Sequence, residues 1–149
     1  MKVPTPRMAK QPLYVHGLLC ESIREEKQGT KTYVGVMGGD LEVNNIPGML
    51  TTLAAAVWLS WPIASKPPEH FGLILALPDG VELVTGVGSI PPMPAATEGA
   101  ARHSVEVNAG YLMVPIAAAG WLRLYAEVDG VRYVAAGLRV KLSAPASAA

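Results

Sequence analysis

Leu122-Arg123-Leu124-Tyr125-Ala126-Glu127-Val128-Asp129-Gly130-Val131-Arg132-Tyr133-Val134-Ala135-Ala136-Gly137-Leu138-Arg139-Val140-Lys141-Leu142 is the stretch that decides the fold. Two apolar-patterned runs, 122–128 and 131–142, flank Asp129-Gly130. Asp-Gly supplies the positive φ that a two-residue hairpin turn needs at its centre. Ahead of the turn, Leu122, Leu124, Ala126 and Val128 share one face, and Trp121, Arg123, Tyr125 and Glu127 share the other. That is a strand with one buried side. Beyond the turn, Val131, Tyr133, Ala135 and Gly137 should continue the inner face, yet Leu138, Val140 and Leu142 alternate with Arg139 and Lys141 in the opposite phase. A one-residue slip sends every side chain to the wrong face, so the sequence predicts a β-bulge within Ala135-Ala136-Gly137 that restores register.

Working outward, further strand candidates are short and punctuated by Gly and Pro. Residues 13–20, 31–37, 41–44 and 104–108 read as strands, and 71–77 with 81–87 read as a second hairpin around Pro78-Asp79-Gly80. Residues 53–61 contain three consecutive alanines, which favour helix. Strand is expected for 56–61, where Val57, Leu59 and Trp61 alternate with smaller residues and Pro62 closes the run. Residues 89–101 form a long loop. Seven to nine strands with no long amphipathic helix predict an all-β protein, an antiparallel immunoglobulin-like or C2-like β-sandwich over residues 13–142. Residues 1–12 and 143–149 are expected to be flexible arms.

The chain has 149 residues, one domain's worth, and its 12 basic and 12 acidic side chains cancel. That balance argues against general nucleic-acid binding and against a polybasic membrane contact. Apolar residues make up 50% and charged residues 16%, against a usual ~25% charged, which excludes disorder of the whole chain. Cys20 is the only cysteine, so no intrachain disulfide forms. No apolar run follows the basic N-terminus to make a secretory signal. The longest nearly apolar stretch, 111–122, is short of the roughly 20 residues a spanning helix needs. A reduced, cytoplasmic location is the expectation.

Leu18-Leu19-Cys20-Glu21-Ser22-Ile23-Arg24-Glu25, then Gly29-Thr30-Lys31 and Gly35-Val36-Met37-Gly38-Gly39-Asp40, resembles a family of small bacterial and phage proteins. That family has a Cys-acidic-acidic start, an Arg-x-x-x-x-Gly-Lys step and an Ile-Gly-Val-Tyr-Gly-like strand. The likeness covers residues 13–61, and the chain departs from the pattern at Ser22 and Met37. The resemblance implies a β-sandwich of bacterial or phage origin and implies no activity.

Catalytic chemistry finds little support. His16, His70 and His103 are scattered, and there is no Gly-x-Ser-x-Gly elbow, His-x-x-x-His or Cys-x-x-Cys spacing. His16 reads as a partly buried strand residue, His70 as a loop residue, and Cys20 as core. An enzyme would have to assemble His103, Glu106 and Asp40. No metal or cofactor is expected. The 35–40 glycine turn reads as a corner between strands, because the acids Asp40 and Glu42 beside it would repel phosphate. Arg24 is expected to pair with Asp40 and pin the first two strands.

The stronger lead is a patch on the outward face of the late hairpin, made of Trp121, Arg123, Tyr125, Tyr133 and Arg139. Such Trp, Tyr and Arg clusters dominate interface energetics. Arg102 and His103, with Arg24, are further candidates for recognising an anion. A chain this apolar has trouble covering itself with polar groups, so a homo-oligomer is expected. The reading is a non-catalytic interaction module that binds its own copies, a protein partner or a small anionic ligand. The alternatives are a phage protein that sequesters a nucleotide-type signal at a subunit interface, and a phage structural protein.

Overall fold

The computed structural model describes residues 13–90 and 99–144. The expectations for 1–12, for 145–149 and for most of the 89–101 loop lie outside the described residues. The described residues form ten strands, more than the seven to nine expected: β1 (Tyr14–Cys20), β2 (Ser22–Glu25), β3 (Lys31–Val34), β4 (Gly39–Val43), β5 (Gly48–Pro62), β6 (His70–Ala76), β7 (Glu82–Ser89), β8 (Arg102–Ile116), β9 (Gly120–Val128) and β10 (Val131–Leu142). They form a three-stranded sheet β1-β5-β8, a five-stranded sheet β4-β10-β9-β6-β7 and a two-stranded ribbon β2-β3. The chain is all-β, and the two larger sheets share one core in a sandwich-like arrangement. Among the described residues no helix is long and apolar enough to cross a membrane.

The late hairpin has the predicted form. Val131 pairs with Val128, and Asp129 (φ 48°) and Gly130 (φ 81°) both adopt the left-handed conformation that a tight hairpin turn requires. Register shifts between Val134 and Ala136, which leaves Ala135 as the extra residue, inside the predicted window. The shift lets Leu122, Leu124, Ala126 and Val128 on one strand and Leu138 and Val140 on the other all enter the core. The bulge sits where β10 packs closely against β1 of the other sheet. A Cβ on Gly17 of β1 would lie 3.2 Å from the Ala135 Cβ and 2.8 Å from the Ala56 carbonyl oxygen, so only glycine fits.

Three expectations are corrected. The sheets are not wholly antiparallel, because β4 runs parallel to β10, Gly39 opposite Leu138 through Val43 opposite Leu142. The polar stretch after Cys20 is a strand: β2 pairs with β3 in a ribbon laid over the outside of the three-stranded sheet. And the alanines at 54–56 belong to β5, which begins at Gly48. Ala55 faces the sandwich core, while Ala54 and Ala56 face the ribbon, and all three are buried. A central strand covered on both faces needs small side chains where both layers press on it.

Candidate functional site

The outer face of the five-stranded sheet is built by alternation. Leu73, Leu75, Leu83, Leu124 and Ala126 point inward to the core, so their neighbours point out. Val84 pairs with Ile74, Ile74 with Tyr125, and Tyr125 with Val134. The result is an apolar row crossing four strands on the outside of the sheet. Its ends are open: Val84 is 58% and Val134 62% exposed. Its middle is covered, Ile74 being only 4% exposed, although it lies outside the core. Arg132 stands over the neighbouring Tyr125, its guanidinium 5.2 Å from the ring centre, and pairs with Glu82 at 2.7 Å. Beside the row, around Gly72, is a dent of about 150 Å³ that Ile74, Val84, Val87 and Glu127 help to line.

Further along the same face Trp121 is 53% exposed, with the Arg123 guanidinium 5.6 Å from its ring and Arg139 opposite it in register. Lys141 pairs with Asp40 at 2.6 Å. This contact, with Arg139 nearby, holds the Asp40 carboxyl below its ordinary range. Asp40 therefore does not serve Arg24 as expected. Arg24 sits opposite Thr32 in the ribbon, one position on from the Ile23–Tyr33 pair that faces the sheet, and so lies on the ribbon's other face.

The structure thus brings Trp121, Arg123, Tyr125 and Arg139 onto one surface and removes Tyr133 from it. Tyr133 pairs with the inward-facing Ala126, ahead of the bulge, and packs against the core, where it helps line a cavity of about 340 Å³. Arg132 and Val134 take its place on the outside, as the parity of the strand before the bulge requires. Arg102 and His103 lie on the other sheet. Arg102 stands over Tyr14 at 4.2 Å and donates to the hydroxyl and carbonyl of Ser60. His103 lies against Trp61. His103, Glu106 and Asp40 are consequently not assembled into one site, since Asp40 belongs to the five-stranded sheet and Glu106 faces the ribbon. Cys20 is fully buried, and burial pushes its thiol pKa up. Among the described residues no His, Cys, Asp and Glu grouping could hold a metal ion.

One cluster escaped the sequence. His16, Trp58 and Glu106 form a cross-strand row on the outside of the three-stranded sheet, and β3 closes over it. His16, an exposed residue contrary to expectation, stacks on Trp58 with ring centres 5.3 Å apart. Tyr33 meets Trp58 edge-on and donates its phenol proton to Glu106 at 2.5 Å. Lys31 reaches the other Glu106 oxygen at 3.3 Å. The Asn108 amide, oriented to satisfy both neighbours, donates to Glu106 and accepts from Lys31. Burial, and then the bond to the Glu106 carboxylate, push the Tyr33 phenol up to about 12. This network pins the ribbon. Under the free margin of β2 it leaves a groove of about 630 Å³.

No protein-family model, no curated protein and no solved structure matches the chain.

Proposed function

We propose that the protein is a non-catalytic interaction module that self-associates through the outer face of its five-stranded sheet. The observation that carries this reading is the apolar row Val84–Ile74–Tyr125–Val134, continued by the exposed Trp121. A second copy is the partner favoured by charge. Arg123, Arg139 and Lys141 share the five-stranded sheet with Asp40, Glu42 and Glu127, a balance of signs that a two-fold interface can pair with itself. Five strands spaced about 4.8 Å apart and some eight residues long present a footprint of the order of the ~800 Å² per partner that stable interfaces bury. The paired sheets support an immunoglobulin-like form of the sandwich.

Sedimentation velocity on the full chain at tens of micromolar, about the range where modest interfaces form, tests the reading. A dimer or larger species is expected, and Val134→Glu, which places a charge at the open end of the row, should return it to monomer. A wild-type protein that sediments only as monomer overturns it, as does an oligomer unaffected by Val134→Glu and Trp121→Ala together.

A second reading rests on the Trp121 end, where the exposed indole has the Arg123 guanidinium beside its ring and Arg139 opposite it in register. That arrangement suits a planar anion such as a nucleotide-type signal, held where two copies meet. Calorimetry with cyclic dinucleotides and adenine-ribose compounds separates it from simple self-association, and flat titrations count against it. We place the protein in a bacterial cytoplasm, its own or a phage host's. Co-purification with virions would favour a structural role instead.

A further inference from the structure

The groove beside the ribbon has a chemistry unlike that of the five-stranded face. Its floor is the outside of β5 and β8, with Ala54 and Gly110 keeping it low and Leu112, 79% exposed, at its far end. Its wall is β2 with Glu21 just ahead of it, where the Glu21 amide donates to the Val34 carbonyl. Ile23 and Glu25 lie on the side of the ribbon that carries Tyr33 toward the sheet. No lysine or arginine lines it. Lys31, opposite Glu25 in register, has its ammonium on Glu106 instead. Glu21 is placed by its neighbour: a Cβ on Gly35 would lie 2.7 Å from the Glu21 side chain, so the glycine makes room for that carboxylate to lie flat. Among the described residues neither Glu21 nor Glu25 has an ion-pair partner.

We propose that this groove binds a linear polyamine, an apolar methylene chain carrying an ammonium group at each end. Four residues of extended strand separate Glu21 from Glu25 by about 13 Å, and the end nitrogens of an extended triamine such as spermidine stand on the order of 11 Å apart. One terminal ammonium meets each carboxylate. The methylenes between them cross Ile23 and the alanine–glycine floor, and Thr52 offers a hydroxyl acceptor to the middle nitrogen. An anionic ligand is disfavoured by both carboxylates. A cation with one charge satisfies only one of them. This site is separate from the proposed self-association face, and its failure would leave that reading untouched.

Calorimetry of the full chain with spermidine at low ionic strength tests the proposal. Saturable one-to-one binding is expected, weakening as salt is added. Octylamine, with one ammonium, and 1,3-diaminopropane, too short to span the pair, should each bind at least about tenfold more weakly. Glu21→Gln and Glu25→Gln, nearly isosteric changes on an exposed strand, should each lower spermidine affinity by a similar factor. Glu69→Gln, an exposed carboxylate ahead of β6 that is not among the groove's lining residues, should leave it unchanged. The proposal is overturned by a flat spermidine titration, by equal affinity for octylamine, or by a Glu69→Gln effect as large as those at the groove, which would mean diffuse attraction.

Discussion

Arg132 and Glu82 pair at 2.7 Å although their strands, β10 and β7, are separated by β9 and β6. The contact is made by a long side chain lying across the sheet. Its guanidinium stands over the Tyr125 ring as it reaches the carboxylate. The same residue thus shields the apolar row and shows how a second copy would have to displace it. Arg132→Ala should increase binding of a hydrophobic dye and strengthen self-association, while lowering the urea midpoint only slightly, and less at high salt. A variant that associates more weakly than wild type would mean that Arg132 contacts the partner rather than covering the row.

Tyr33 and Glu106 hold the ribbon to the sheet, and Tyr33→Phe removes their bond while keeping the ring on Trp58. A part-exposed bond to a carboxylate is worth about 1 kcal/mol, so that loss is expected in urea denaturation. Burial and the Glu106 carboxylate push the phenol up from its ordinary 10.0 to about 12 in the folded protein. Below pH 10 both states hold the proton and the contribution is complete. As pH rises from about 10 toward about 12 the unfolded chain loses its proton first, and stability falls. Subtracting the 295 nm titration of Tyr33→Phe from that of wild type should leave a single phenol ionising near 12; a difference curve centred near 10 would contradict the network.

Gly17→Ala tests the closeness of the two sheets at the bulge. The new methyl meets the Ala56 carbonyl and the Ala135 methyl, and overpacking of this kind costs about 1–3 kcal/mol. Adding Ala135→Gly should recover only part of the loss, because the Ala56 carbonyl remains. Full recovery would show that the two methyl groups alone set the spacing.

Asp129 has two roles. It adopts positive φ in the turn, and its carboxylate accepts hydrogen bonds from the backbone amides of Glu69 and His70, tying the start of β6 to the hairpin. Asp129→Gly keeps the conformation and loses the bonds, whereas Asp129→Ala loses both. We expect losses of about 1 and about 2 kcal/mol respectively in chemical denaturation. Equal losses would assign the whole effect to the carboxylate.

What the sequence revealed follows from how local each signal is. The Asp129-Gly130 turn and the bulge at Ala135 are written within 21 consecutive residues, and a conflict of parity was enough to locate the bulge. The parallel pairing of β4 with β10 joins residues about a hundred positions apart, and no turn chemistry announces it. β8 was legible only over 104–108, because beyond Tyr111 its alternation is broken by Met113, a non-glycine residue at φ 57°. Residues 21–28 looked like a solvated connection because a two-stranded ribbon lying on a sheet shows one wet face and one half-buried face. The site follows the same division. Trp121, Arg123 and Tyr125 were visible as alternate residues of one strand. Tyr133 precedes the bulge and so keeps the inward phase of its partner Ala126, while Arg139 follows the bulge and points out. Glu106 and Tyr33, 73 positions apart, carried no local mark of their partnership.

β10 lies between β9, its immediate predecessor, and β4, made a hundred residues earlier. During synthesis β4 therefore has no seat in the large sheet until β10 has left the ribosome, and the Leu41 and Val43 side chains that pack on the core must wait for it. A fold closed by so distant a pairing forms slowly. A chain cut short before Val131 would leave β4 and β9 as bare edges, ready to be seized by any other extended segment in the cell.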